Sequence, residues 1–259
     1  MAAIFPSIPS NFKPPQISQT LTRLRRPNRT LCTATSDQSY LSASNADISS
    51  HLLRSLPVTI HPSVKAPIHS LLSSPIPPTI APPLCLAATE LVGGNPNSAI
   101  NAACALHLIH AVTHTRTRTA PPLTEFSPGV LLLTGDGLLV LAYEMVARSS
   151  AVDAGPSVRV LKEVARTAAA VAAAYEGGRE GELAAGAAAC GVILGGGNEE
   201  EVERGRRVGM FAGKMELVEA EVELRLGFED EKAGAVRRLL EEMRFTQTFV
   251  DVRNSFNGK

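Results

Sequence analysis

The sequence predicts an all-α fold, and three observations carry the prediction. Helix formers dominate, with alanine and leucine abundant and aromatic residues only 4% of the chain. No stretch alternates β-branched and polar residues with the period of two that a half-buried strand requires. Glycine pairs and Asn-Pro or Gly-Asn steps punctuate the apolar segments at helix-length intervals.

Composition narrows the function classes. Lys+Arg and Asp+Glu both total 25, so no long-range field draws the chain to nucleic acid or to an anionic membrane surface. The six aspartates are scattered, with no two closer than ten residues, so no paired-aspartate metal cluster exists anywhere. Cys32, Cys85, Cys104 and Cys190 lie far apart and form neither a CxxC site nor a disulfide framework. Asp136 interrupts the apolar runs Val130–Leu133 and Leu138–Leu141, and the Ala-rich run 165–174 contains Arg166 and is short. A soluble mature protein with no membrane span is expected. Length allows one sizeable core or two small ones, and one is expected.

Element by element, residues 1–36 carry Lys13, Arg23, Arg25, Arg26 and Arg29 with no acid, and are rich in Ser, Thr and Pro. That composition marks a plastid transit peptide, with an ordinary basic tail as the plainer alternative. Residues 37–83 read as a Pro-rich lead-in holding one short helix near Val64–Leu72, since Pro57, Pro62, Pro67, Pro75, Pro77, Pro78, Pro82 and Pro83 break anything longer. A helical domain then covers 84–244. Leu84–Val92 is a helix stopped by Gly93-Gly94, and Asn95-Pro96 starts the next, which runs to about Val112. Asp136 is expected to cap a helix ending at Arg148, followed by helices over about 157–175 and 181–194. Asn198 with Glu199, Glu200 and Glu201 is a strong helix start. Val208, Phe211, Met215, Val218, Val222 and Leu226 recur at three- and four-residue steps and predict one apolar stripe, with Lys, Arg and Glu elsewhere. A last helix is expected over about 232–244, leaving 245–259 as a tail.

Single residues suggest little chemistry. His107, His110 and His114 share a helix face, but no fourth zinc ligand accompanies them, and a core or interface face explains them as well. Gly195-Gly196-Gly197 lacks the Gly-Lys-Ser/Thr of a phosphate loop and reads as helix punctuation. Cys190 has no histidine or acid near it in sequence and reads as core packing.

Taken in order, four segments carry a resemblance: Leu84-Cys85-Leu86-Ala87-Ala88-Thr89-Glu90-Leu91-Val92-Gly93-Gly94, Ala102 to His110, Leu132-Leu133-Thr134-Gly135-Asp136-Gly137, and Cys190 to Gly196. Over about residues 48–225 the chain resembles the trans-isoprenyl diphosphate synthases, and within them the small subunits of heteromeric plant geranyl and geranylgeranyl diphosphate synthases. The resemblance implies a shortened isoprenoid-synthase-like helical bundle. The family's enzymes hold Mg²⁺ through two DDxxD-type clusters. The corresponding stretches here read Thr113 to Thr119, with Thr117 and Arg118 as degenerate metal-site positions, and Met210 to Glu216. The basic element that grips isopentenyl diphosphate is replaced by Pro77-Pro78-Thr79-Ile80-Ala81-Pro82.

What the resemblance implies is a chain without catalytic or metal-binding residues that is no enzyme on its own. It would bind a catalytic plastid geranylgeranyl diphosphate synthase in the stroma and shift its product toward geranyl diphosphate, with Mg²⁺ held only by that partner. The small subunits carry two CxxxC motifs, of which this chain keeps half each: Thr89 follows Cys85, and Gly186 precedes Cys190. The resemblance thus assigns the partner interface to Cys85, Thr89, Cys104, His107, His110, Gly186 and Cys190. A residual prenyltransferase and a degenerate helical scaffold stand as alternatives. The segment from Arg166 to Gly181 is shorter than in the family.

Overall fold

The computed structural model describes residues 39–56, 62–73, 78–117, 126–148 and 154–257, so the expected transit segment lies outside the described residues. Among them there is no strand. The helices are α1 (Tyr40–Ser55), α2 (Pro62–Ser73), α3 (Ala81–Glu90), α4 (Ile100–Thr117), α5 (Pro128–Arg148), α6 (Ala154–Ala173), α7 (Arg179–Leu194), α8 (Glu199–Gly213), α9 (Leu217–Gly227) and α10 (Gly234–Asn257).

Helix α7 sits at the centre because its sequence leaves no polar face. Every residue from Gly181 to Ile193 except Glu182 is buried. Its small side chains let neighbours approach to backbone contact: a Cβ at Gly191 would overlap the Cys85 carbonyl of α3, and one at Gly209 of α8 would overlap the Ala184 carbonyl of α7. The packing runs in series, α5 on α4, α4 on α3, α3 on α7, α7 on α8 and α8 on α9. Helix α6 lies against α7 as well, and α1 and α10 close over α3.

The capping box at Asn198 forms as its sequence indicates: Glu201 N–H donates to Asn198 Oδ1 at 3.0 Å and Asn198 N–H to Glu201 Oε2 at 2.8 Å. Asn95 opens a single 3₁₀ turn, Pro96–Ala99, that leads into α4. Other boundaries differ from expectation. Helix α3 starts at Ala81 and absorbs Pro82 and Pro83 into its first turn, where a missing N–H costs nothing. Asp136 is no cap; it lies inside α5, which begins at Pro128. The sequence treats Asp136 as a break in the apolar runs, yet α5 is a continuous helix of 21 residues, long and apolar enough by length and composition to cross a membrane. The stretch read as a tail continues α10 to Asn257.

The largest correction concerns the stripe from Val208 to Leu226. It is broken by Met215, whose φ of 63° is left-handed and turns the chain between α8 and α9. The turn is closed by Met215 N–H to Ala212 O at 3.0 Å and Glu216 N–H to Phe211 O at 2.9 Å. The break rotates α9 so that Leu217, Ala220 and Leu224 are buried, while Val218 and Leu226 are 67% and 70% exposed.

Candidate functional site

The stretch that replaces the basic element forms the entry to α3, and Glu180 of α7 fills it. Thr79 donates its hydroxyl to Glu180 Oε1 at 2.7 Å, and Ile80 N–H donates to the same oxygen at 3.0 Å. Ala81 N–H is taken by Thr79 Oγ1 at 3.2 Å. Pro82 and Pro83 have no N–H to offer. A helix N-terminus attracts anions through free N–H groups and its dipole. Here Ile80 N–H and the Thr79 hydroxyl are consumed by the Glu180 carboxyl group, and Ala81 N–H by Thr79.

The two other stretches corresponding to diphosphate–metal elements are also used structurally. Thr113 bonds back to the Ile109 carbonyl at 2.8 Å, Thr117 closes α4, and Arg118 lies outside the described residues. From Met210 onward, α8 packs on the start of α7. A Cβ on Gly181 would meet Met210 Sδ at 3.0 Å and the Lys214 stem at 3.1 Å, and a Cβ on Gly213 would press on the Glu180 carbonyl. Among the described residues no group of three or more His, Cys, Asp or Glu side chains is placed to hold a metal ion.

The residues expected at a partner interface fall in two groups. Cys85, Thr89, Cys104, Gly186 and Cys190 are fully buried within this chain, so a docking partner does not meet them directly. Burial pushes all three thiols up, Cys104 to about 12, which keeps them protonated and unreactive. Thr89 donates its hydroxyl to the Cys85 carbonyl at 3.0 Å, and Cys104 Sγ lies 3.5 Å from the Ile48 carbonyl. Gly186 faces Thr167 of α6, and a Cβ there would overlap the Thr167 hydroxyl. A cysteine at 186 would collide with Thr167 as this chain is packed.

The histidines are placed differently. His107, His110 and His114 are half-buried on one face of α4, and the rings of His110 and His114 stack with centroids 6.2 Å apart. Burial, and then the nearby His110, hold His107 below the usual imidazole range.

Two features escape the sequence pattern. Glu163 of α6 is buried and bound by Arg206 of α8 and by Arg166, at 2.8 Å for the latter, so α6 is pinned to α8. Helix α5 turns Leu132, Leu133 and Val140 outward, at 54%, 72% and 68% exposure. The apolar run was legible, but which side of it lacks a neighbour was not.

No family model matches the chain. Small subunit 1 of the chloroplastic heterodimeric geranylgeranyl pyrophosphate synthase of Cannabis sativa is 31% identical over 220 residues, covering 69% of this chain and 70% of its own. Small subunit 2 of that plant's enzyme is 30% identical over 242 residues, covering 78% and 82%. The chain belongs to the trans-isoprenyl diphosphate synthase family. Its fold agrees: the geranyl diphosphate synthase small subunit of Antirrhinum majus superposes with a TM-score of 0.68 at 28% identity, covering 78% of this chain and 97% of that one. A mint heterotetrameric geranyl pyrophosphate synthase gives a TM-score of 0.61 at 31% identity, covering 78% and 92%. The polyprenyl synthase bundle expected from the motifs is therefore the observed fold, and heteromeric small subunits are among its relatives.

Proposed function

We propose that this chain is a non-catalytic regulatory subunit that binds a catalytic geranylgeranyl diphosphate synthase in the plastid stroma and shifts its product toward geranyl diphosphate. The observation that carries the reading is Glu180 seated at the start of α3. A diphosphate entering there would meet a carboxylate where the family's basic element lies, and close approach of like charges opposes it. Magnesium does not fit the remaining residues either. A trinuclear site needs clustered carboxylates, and the stretches 113–119 and 210–216 supply only Glu216, which is exposed.

Binding to a partner is supported by the names of the Cannabis relatives as small subunits of heterodimeric enzymes, and plastid residence by their being chloroplastic. The outward face of α5 supplies a surface for it. Leu133 and Val140 lie on one side of the helix, and apolar side chains at that exposure favour burial against a protein neighbour. Asp136, exposed midway along the same helix, favours a protein over lipid as the occupant. Contact there would limit how far the partner's product pocket opens to a growing prenyl tail.

Co-expression with a plastid geranylgeranyl diphosphate synthase tests the reading. Co-elution and a raised ratio of C10 to C20 product are expected, and Leu133→Glu abolishes both while leaving thermal unfolding unchanged. Unchanged products together with separate elution would sink it. The purified chain alone, given Mg²⁺ and both prenyl substrates, is expected to show no turnover.

A further inference from the structure

Helix α9 presents a second apolar face that the reading above does not use. Leu217, Ala220 and Leu224 already anchor the helix to the bundle, so the outward set is surplus to folding. That set is Val218, Val222 and Leu226, exposed by 67%, 49% and 70%, with Met215 at its head. The spacing of four residues keeps the three on one stripe of the helix. Helices α5 and α9 stand at the two ends of the packing series α5–α4–α3–α7–α8–α9, so engagement of one leaves the other free.

We propose that α9 is a self-association surface, on which a second copy of this chain lays its own α9 antiparallel across Val222. A two-fold contact requires a patch that complements itself. With a rise of about 1.5 Å and a turn of about 100° per residue, an antiparallel pair centred on Val222 sets Val218 against Leu226 of the second copy. One charged flank then pairs opposite charges. On one side Arg225 of the second copy comes within about 3 Å, measured along the axis, of Glu221. Glu221 already holds its own Arg225 at 2.8 Å and Arg237 at 3.3 Å, so it is a carboxylate placed to accept from guanidinium groups. On the other side Glu219 comes within about 3 Å, measured along the axis, of Glu223 of the second copy, a like charge that Arg207 offsets by pairing with Glu223 at 3.1 Å within each chain. Parallel pairing would lose this register, because the same residues would stand at equal heights. The patch is small beside a standard interface, so the expected affinity is micromolar.

Sedimentation velocity of the full chain alone, over a concentration series spanning the micromolar range, tests the proposal. A reversible monomer–dimer equilibrium is expected. Val222→Glu and Leu226→Glu each weaken it by at least about tenfold, because a charge lands in the apolar seam, and neither lowers the thermal midpoint, because both positions are exposed. Arg225→Glu weakens it as well, whereas Leu133→Glu on α5 leaves it unchanged. A wild-type chain that stays monomeric throughout the series overturns the proposal. So does a dimer that survives both α9 substitutions or that is lost with Leu133→Glu. Failure to bind a catalytic synthase would not alter this measurement, which contains no second protein.

Discussion

Helices α7 and α5 are both apolar over most of their length, yet α7 is buried on all sides while α5 leaves much of its surface outward. The difference lies in side-chain size. Helix α7 is rich in Ala and Gly, so α3 and α8 come to backbone distance, α6 packs Thr167 onto Gly186, and no face is left over. Helix α5 carries Leu and Val at every turn; α4 covers one side, and Leu133 and Val140 remain on the other. Small residues make a centre, and large apolar residues whose neighbours α4, α6 and α2 leave one side uncovered make an exposed apolar face. The contrast yields quantitative expectations.

The centre should fail first. Gly209→Val places branched carbons on the Ala184 carbonyl, and because backbone has to move, a loss of about 3 kcal/mol or more is expected in urea unfolding. A loss below about 0.5 kcal/mol would mean the crossing is looser than described. Gly186→Cys, which restores the relatives' CxxxC spacing, should lose about 1–3 kcal/mol against Thr167. Adding Thr167→Ala should recover most of it, and a double-mutant cycle reads that coupling directly.

Glu163 tests the link between α6 and α8. Glu163→Gln removes the buried carboxylate that ties Arg206 of α8 to α6, leaving Arg206 only the exposed Glu203 of its own helix at 3.2 Å, and should lose about 1–2 kcal/mol. The pH dependence has a definite sign. Burial raises the Glu163 pKa above the ordinary 4.5, against the opposing pull of Arg166. The folded state therefore holds this proton more tightly than the unfolded state, so stability falls as pH rises from about 4.5 through the folded pKa and is flat above it. Thermal melts of the Gln variant should lack that slope. The smallest effect is expected at the turn between α8 and α9: Met215→Gly removes a strained left-handed residue and should stabilise by about 0.5–1 kcal/mol, visible as a raised urea midpoint.

Much of the fold was legible from local chemistry. Asn198 with Glu201 declared a helix start, Gly195 to Gly197 a helix end, and the stretch 181–194 a helix, although not that it is buried on all sides. The turn at Met215 was not legible, because the residue in the left-handed region is not a glycine; Gly213, which ends α8, was the one local stop signal, and the apolar period running through it hid it. Without that break the period of Val208 to Leu226 reads as one stripe, and it does not say that Val218, Val222 and Leu226 face outward. The candidate site divides in the same way. The absence of clustered carboxylates at 113–119 and 210–216 is a sequence fact, whereas the closure of the α3 N-terminus depends on Glu180, about one hundred residues away.

By itself, then, the sequence determined the helical class, the ordered motifs that placed the chain among prenyl diphosphate synthases, and the loss of their metal-binding side chains. These depend on residue identity and on spacing within one or two turns. Tertiary structure alone decided which apolar faces find a neighbour, that the half-kept cysteine motifs are core rather than surface, and that a carboxylate from α7 occupies the start of α3. Each of these depends on where two distant helices cross, and helical periodicity describes a face without naming what lies opposite it.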